Sequence, residues 1–251
     1  MKKIWYLAFV LFFYACSKDD GKDQKEITCD RIVEVLSYHP YDNPQYQTTA
    51  TITYDEQGRV KVVKGEGQNT SEYIYYNNRI ELTAKDVFGT DISEIYYLDN
   101  AKRIVRTKSF DYAFTYDGQG YLISFRQPYG TNGQITGYTQ YYLRYLDGNL
   151  QEVYTNDQTV SNKSVTFNYY GEDNQEMLGY NSPLYVSSVL GDRNTFFLIK
   201  GGFFGKQSKN LLKSADYHQS YTTFRDIVYV KDVKGRIINT KEGYSFNYNC
   251  P

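Results

Sequence analysis

The sequence is poor in the residues that most metal and nucleophilic sites need. Its 251 residues include two histidines, His39 and His218, three cysteines, Cys16, Cys29 and Cys250, and one tryptophan. Two histidines cannot complete a three-histidine zinc site, and no H-E-x-x-H segment occurs. The nearest approach to a G-x-S-x-G elbow is Gly179-Tyr180-Asn181-Ser182-Pro183, which lacks the closing glycine and reads as a helix cap. There is no Walker loop, no G-x-G-x-x-G after a strand and no D-x-D-x-D-G calcium loop, so no cofactor or metal is expected. Excess charge is missing too. The 28 Lys and Arg against 29 Asp and Glu give a net charge of −1, which excludes a strongly basic nucleic-acid binder. What is abundant is tyrosine: there are 29, and aromatics make up 18% of the chain. That content opposes disorder and suits a β-rich globular protein.

The apolar run Ile4–Tyr14 is too short to span a bilayer, and no other run approaches the ~18 residues of a membrane helix. With Lys2 and Lys3 ahead of it, it reads as a signal peptide covering residues 1–15. Ala15 and Cys16 follow it and resemble a bacterial lipobox, although Phe13 and Tyr14 stand where that motif carries Leu and a small residue. Cys16 is then the lipidated N-terminus of the mature chain, and the lipid is its contact with the membrane. An ordinary signal peptide is the alternative. Cleavage removes Lys2 and Lys3 and leaves 26 basic against 29 acidic residues.

Residues 16–26 read as a charged tether, because Ser17 to Glu26 contain no apolar side chain that could be buried. Cys16-Ser17-Lys18-Asp19-Asp20 resembles the surface-export signal of Bacteroides-type lipoproteins. A plain solvated linker, on a protein facing the periplasm, is the other reading. Of the two remaining cysteines, Cys29 opens the folded part and Cys250 nearly ends it. A bridge between them would join the first and last strands, stabilising by ~4–5 kcal/mol on the chain-entropy model. Two unpaired buried thiols are the alternative.

Residues 27–251 form a degenerate repeat, expected to be a single domain. Tyr54-Asp55-Glu56-Gln57-Gly58-Arg59-Val60 and Tyr116-Asp117-Gly118-Gln119-Gly120-Tyr121-Leu122 share the pattern Y-D-x-x-G-x-aliphatic. Looser copies start at Tyr76, Tyr97, Tyr145 and Val230. The early tyrosines at 54, 76, 97 and 116 are spaced by 22, 21 and 19 residues, one hairpin each. In each unit a strand ends in an aromatic and Asp or Asn opens a turn with its side chain on a nearby N–H. Gly or Asn takes the φ > 0 position, and a basic and an aliphatic residue start the returning strand. About fifteen strands follow, among them 28–37, 223–231, 236–241 and 243–249. So many strands in one sheet must curl, split or close, and closure removes the exposed edges. Residues 174–217 interrupt the pattern. Asn181-Ser182-Pro183 signals a helix start and Gly191 or Gly201-Gly202 a stop, with short helices over Leu184–Leu190 and Phe196–Lys200. This insertion is expected to pack on the sheet or plug one end, with Lys206–Lys213 as a loop.

The Y-D-x-x-G-R unit resembles the tyrosine–aspartate repeats of large bacterial shell and toxin proteins. With the lipobox and the late Gly202-Phe203-Phe204-Gly205-Lys206 segment before Asn210-Leu211, the chain is more similar to small Bacteroides-type lipoproteins of unknown function. The resemblance implies a porin-like fold and supplies no activity. The expected architecture is all-β: a large antiparallel meander closing into a soluble porin-like β-barrel, with one or two short helices in the 174–217 insertion.

Carboxylate pairs for glycoside hydrolysis need only a suitable separation, but Asp55, Asp99, Asp117 and Asp147 sit in turns. Tyrosines at 73, 75 and 76, at 96 and 97, at 141, 142 and 145, and at 169 and 170 suit either sugar stacking or cross-strand packing. The expected function is a lipid-anchored, cell-surface module of the outer membrane that binds a glycan, a peptide or an envelope partner, with no nucleic acid and no catalysis. A structural scaffold is the alternative, and a carboxylate-pair hydrolase the third reading.

Overall fold

The computed structural model describes residues 31–37, 48–65, 70–85, 89–109, 111–131, 134–173, 183–186, 193–218, 223–224, 227–240 and 244–248. Cys16, Ser17–Asp20, Cys29, His39 and Cys250 lie outside them. The strands are β1 (Ile32–Ser37), β2 (Thr48–Tyr54), β3 (Val60–Lys64), β4 (Thr70–Tyr75), β5 (Arg79–Lys85), β6 (Asp91–Leu98), β7 (Ile104–Thr107), β8 (Ala113–Tyr116) and β9 (Leu122–Thr131). They continue as β10 (Gln134–Leu146), β11 (Asn149–Thr155), β12 (Lys163–Asp173), β13 (Asn210–Tyr217), β14 (Thr223–Phe224), β15 (Tyr229–Lys231), β16 (Ile237–Thr240) and β17 (Tyr244–Tyr248). Two helices, α1 (Pro183–Val186) and α2 (Arg193–Lys200), fall in the expected insertion.

All seventeen strands belong to one sheet, and every pairing is antiparallel. β1 to β14 pair in sequence order, while β15, β16 and β17 follow one another and β17 joins β1. The expected closure into a barrel is not made. Among the described residues β14 pairs only with β13 and β15 only with β16. The Ile227 amide, past the end of β14, donates to the Lys213 carbonyl of β13 at 2.9 Å. The reason is length: β14 and β15 are strands of two and three residues, too short for each to carry a ladder on both sides, and the meander is open between them. Two further expectations need correction: 223–231 is two strands, and the loop expected over Lys206–Lys213 contains the start of β13.

Period-two patterning builds the sheet. On β5, Ile80, Leu82 and Ala84 are buried while Arg79, Glu81, Thr83 and Lys85 point away. A one-residue slip would carry two charges and a threonine into the core, which fixes the register. The inward residues of β1 to β13 and of β15 to β17 join α2 in one apolar cluster. In α2, Phe196, Phe197, Leu198 and Ile199 are all buried, so the helix is covered on every side. Each such side chain contributes ~1.5–3 kcal/mol.

After α2 the chain crosses the tight-turn end of the sheet as a strap. The Phe203 carbonyl accepts from the Ile104 amide at 2.8 Å. The Lys206 and Lys209 amides donate to the carbonyls of Gly120 and Gly148 at 2.9 and 3.0 Å. The strap thus ties together the turns that follow β6, β8 and β10.

Candidate functional site

The tight-turn end is built from the repeat itself. In the turns opened by Asp55, Asp99, Asp117 and Asp232, Oδ1 accepts the backbone N–H four residues on, at 2.8–3.0 Å. The third residue on donates to the Asp carbonyl at 3.0–3.1 Å. Gly58, Gly120 and Gly235 hold φ near +81°, +95° and +82° there, and Lys102 takes the same place at +63°. In three turns Oδ2 also binds the following arginine, Arg59, Arg103 or Arg236. Burial works to raise the pKa of Asp55 and Asp99, but hydrogen bonds from Arg59 and Arg103 outweigh it and hold both carboxyls below the usual range. The side-chain hydrogen bond from Arg236 does the same for Asp232.

Each arginine then lies over the tyrosine ending the next strand toward this end. The guanidinium carbons of Arg59, Arg103 and Arg236 sit 4.2, 4.5 and 4.7 Å from the ring centres of Tyr75, Tyr116 and Tyr248. Arg31, just before β1, sits 5.4 Å above Tyr54. The tyrosine hydroxyls reach back across the sheet. Tyr54, Tyr75, Tyr116, Tyr169, Tyr229 and Tyr248 donate to the carbonyls of Ile32, Val60, Ile104, Leu150, Leu212 and Ile237. For Tyr54, Tyr75, Tyr169 and Tyr229 the acceptor is the residue paired with a tyrosine one hairpin back: Ile32 with Tyr248, Val60 with Tyr54, Leu150 with Tyr145 and Leu212 with Tyr169.

The series is interrupted at β6. There Leu98 occupies the tyrosine position, paired with Ile104 as Tyr54 is with Val60. Leucine has no hydroxyl to send back and no ring to receive Arg79, which instead lies 4.1 Å over Tyr76 and pairs with Glu81 at 2.6 Å. Beside Leu98 opens a cleft of about 770 Å³. Its walls are Gln57–Arg59, Tyr76–Asn77, Ala101–Lys102 and the end of α2 at Lys200–Phe203, with Arg31 at the rim. Four cations line it, Arg31, Arg59, Lys102 and Lys200, and no described carboxylate does. Asp55 lies behind Arg59 and neutralises that one cation at 2.6 Å. Lys102 donates to the Asn77 carbonyl at 2.7 Å, which holds two walls together. Phe203 stacks on Tyr75 with centroids 5.6 Å apart and forms part of the lining. In a chain of balanced charge, this concentrates positive potential on aromatic and amide groups.

The other candidates resolve into structural duties. Tyr73 and Tyr96 are buried, and Tyr75, Tyr141, Tyr145, Tyr169 and Tyr170 pack on the core; of those tyrosine clusters Tyr75 and the more exposed Tyr76 line the cleft. His218 bonds Thr166 through Nε2 at 2.8 Å. Glu152 is held below the usual carboxylate range by hydrogen bonds from Lys163 and then Tyr154. Among the described residues no three His, Cys, Asp or Glu side chains converge. Glu94 is buried, and its Oε1 accepts the amides of Ile95, Lys108 and Ser109 at 2.7, 2.9 and 2.9 Å. A second groove, of about 700 Å³, lies between β11, β12 and β13, but its amides serve one another, Asn149 with Asn210 and Asn168 with Ser214.

The sequence reading missed the cleft cations. Arg59 was signalled by its place four residues after Asp in Y-D-x-x-G-R, and the break in the series by Leu98 in Tyr97-Leu98-Asp99; Arg31, Lys102 and Lys200 carried no such signal.

Fold and site together define an all-β protein, one long meander with a basic, aromatic cleft at its tight-turn end. No family model and no curated protein matches the chain. Among solved structures it is similar to a porin-like protein from Bacteroides uniformis, with a TM-score of 0.61 and 15% identity, covering 87% of this chain and 98% of that one. It is also similar to a porin-like protein from Bacteroides vulgatus, with a TM-score of 0.57 and 12% identity over the same shares. The likeness to porin-like Bacteroides proteins expected from the repeat holds at the level of the fold.

Proposed function

We propose that the chain is a lipid-anchored envelope protein that binds an anionic ligand in the cleft beside Leu98 without transforming it. The observation that carries this reading is the lining: four cations, of which Asp55 neutralises Arg59 from behind, exposed aromatic surface and two side-chain amides, with no described carboxylate in the lining itself. Such a lining binds anions and lacks an acid–base pair to act on them. Calorimetry with polygalacturonate, a sulfated polysaccharide and a neutral glucan tests it. The acidic polymers are expected to bind, more weakly as salt rises, and the neutral one is not. Binding of the neutral glucan alone, or of none, would sink the reading.

The anchor is Cys16 and the export signal Ser17–Asp20. Protease treatment of intact cells should remove the protein if it faces outward; survival until lysis would place it on the periplasmic side. Pairing of Ile32 with Tyr248 brings the ends of the sheet's first and last strands together, which supports a Cys29–Cys250 bridge. A peptide map without reductant should then contain both cysteines in one cross-linked fragment.

A further inference from the structure

Arg31 stands one residue before β1 and lines the cleft, so the chain enters the sheet at the edge of the site. The fifteen residues from Cys16 to Asp30 span at most ~50 Å even fully extended. An anchor at Cys16 therefore keeps the cleft beside Arg31 within about that distance of the membrane surface.

The chemistry of the cleft suits a charged sugar. The guanidinium face of Arg31 is covered by Tyr54, which turns its N–H edge toward a phosphate or carboxylate, while Arg59 is held over Tyr75 by Asp55, with Lys102 and Lys200 as its cationic neighbours in the lining. Gln57 and Asn77 bring amides that both donate to and accept from hydroxyls. Tyr76 is 42% exposed, with Arg79 over its ring. Base stacking would need several free ring faces in a row, and a nucleic acid would need a basic chain. Neither is present among the described residues.

We propose that the cleft grips the phosphate- or carboxylate-bearing sugar headgroups of the membrane surface to which the chain is anchored, so that the domain sits on that surface with its tight turns down. This rests on the ligand site proposed above. The test uses the full mature chain carrying Cys16→Ser, so that its own lipid does not mask binding. Sedimentation is measured with phosphatidylcholine vesicles alone, with added phosphatidylglycerol, and with an added phosphorylated glucosamine lipid. The expected result is binding to the glycolipid vesicles, competed by soluble phosphorylated glucosamine. Lys102→Glu and Arg31→Glu should each weaken it about tenfold or more, and Lys61→Glu, the same charge change on exposed β3 surface, should not. Circular dichroism confirms that each variant is folded. Equal binding to phosphatidylglycerol vesicles would overturn the sugar preference. Binding of soluble acidic saccharide with no binding to glycolipid vesicles would overturn the membrane-facing site and leave the ligand site standing. Binding of neither overturns both.

Discussion

At the scale of single residues, the tyrosine hydroxyls are the fasteners of the tight-turn end. Tyr116→Phe removes the 2.7 Å bond to the Ile104 carbonyl and leaves that acceptor unpaired under a ring. A loss of about 1 kcal/mol is expected, read as a lower urea midpoint with an unchanged slope. Leu98 is the converse case. Leu98→Tyr supplies the missing phenol beside the cleft, within reach, by the pattern of the series, of the Ile80 carbonyl. Its stability, read from urea unfolding, should change by no more than about 1 kcal/mol while binding of acidic saccharide falls away. Glu94 works through its acceptor oxygen. Glu94→Ala removes the acceptor that three amides share, of which Lys108 keeps its bond to the Ile95 carbonyl, and should cost about 2–3 kcal/mol, whereas Glu94→Gln keeps an acceptor and should cost less than half as much.

At the scale of elements, the strap after α2 is the part that local pattern does not set. Gly205 has φ +79°, and a Cβ there would meet the Gly120 carbonyl at 2.4 Å; Gly202 has φ +78° with nothing within 4 Å. Gly205→Ala should therefore cost at least 2 kcal/mol and release α2, seen as loss of near-ultraviolet dichroism. Gly202→Ala should cost only the ~1 kcal/mol of a left-handed alanine. The same contrast explains what could be read in the sequence. The turns were legible because Asp, Gly and Arg act within five residues of one another. β13 was not, because no turn signal precedes it. Its start is set by Asn149, which accepts the Asn210 amide at 2.8 Å across 61 residues. Leu211 and Leu212 are buried side by side, which breaks the alternation that marks a strand. The cleft was hidden for a related reason: Arg31, Lys102 and Lys200 come from three places that only the fold brings together.

At the scale of the whole molecule, charge sets a pH window on both sides. Asp55, Asp99 and Asp232 have lowered folded pKa values, so their stabilisation is complete above the unfolded value of ~3.9 and is lost as pH falls through the folded values. The melting temperature should drop below about pH 4, and less steeply in the triple Asp→Asn variant. Burial pushes Tyr75, Tyr116, Tyr145 and Tyr169 far up, and Tyr217 up to about 12. Raised tyrosine values mean that the contribution is whole below about pH 10 and is lost as pH climbs through the folded values. The share of tyrosinate absorbance that belongs to these buried rings should therefore appear only together with unfolding above about pH 10.

All but one of the ladders join strands that are neighbours in the chain, and the exception is β1 with β17. Hairpins from β1 onward can form as soon as each is synthesised or translocated, but that last seam waits for the final residues. Until it is made, β1 carries an open edge able to pair with another copy. A chain cut short before β17 would keep that edge for good and should aggregate. Because Ile32 faces Tyr248, a short linker could also join the start of β1 to the end of β17 and let new ends be opened elsewhere. The exposed turn at Asp157–Thr159 would accept such a break, while the turns bound by the strap at Gly120 and Gly148 would not.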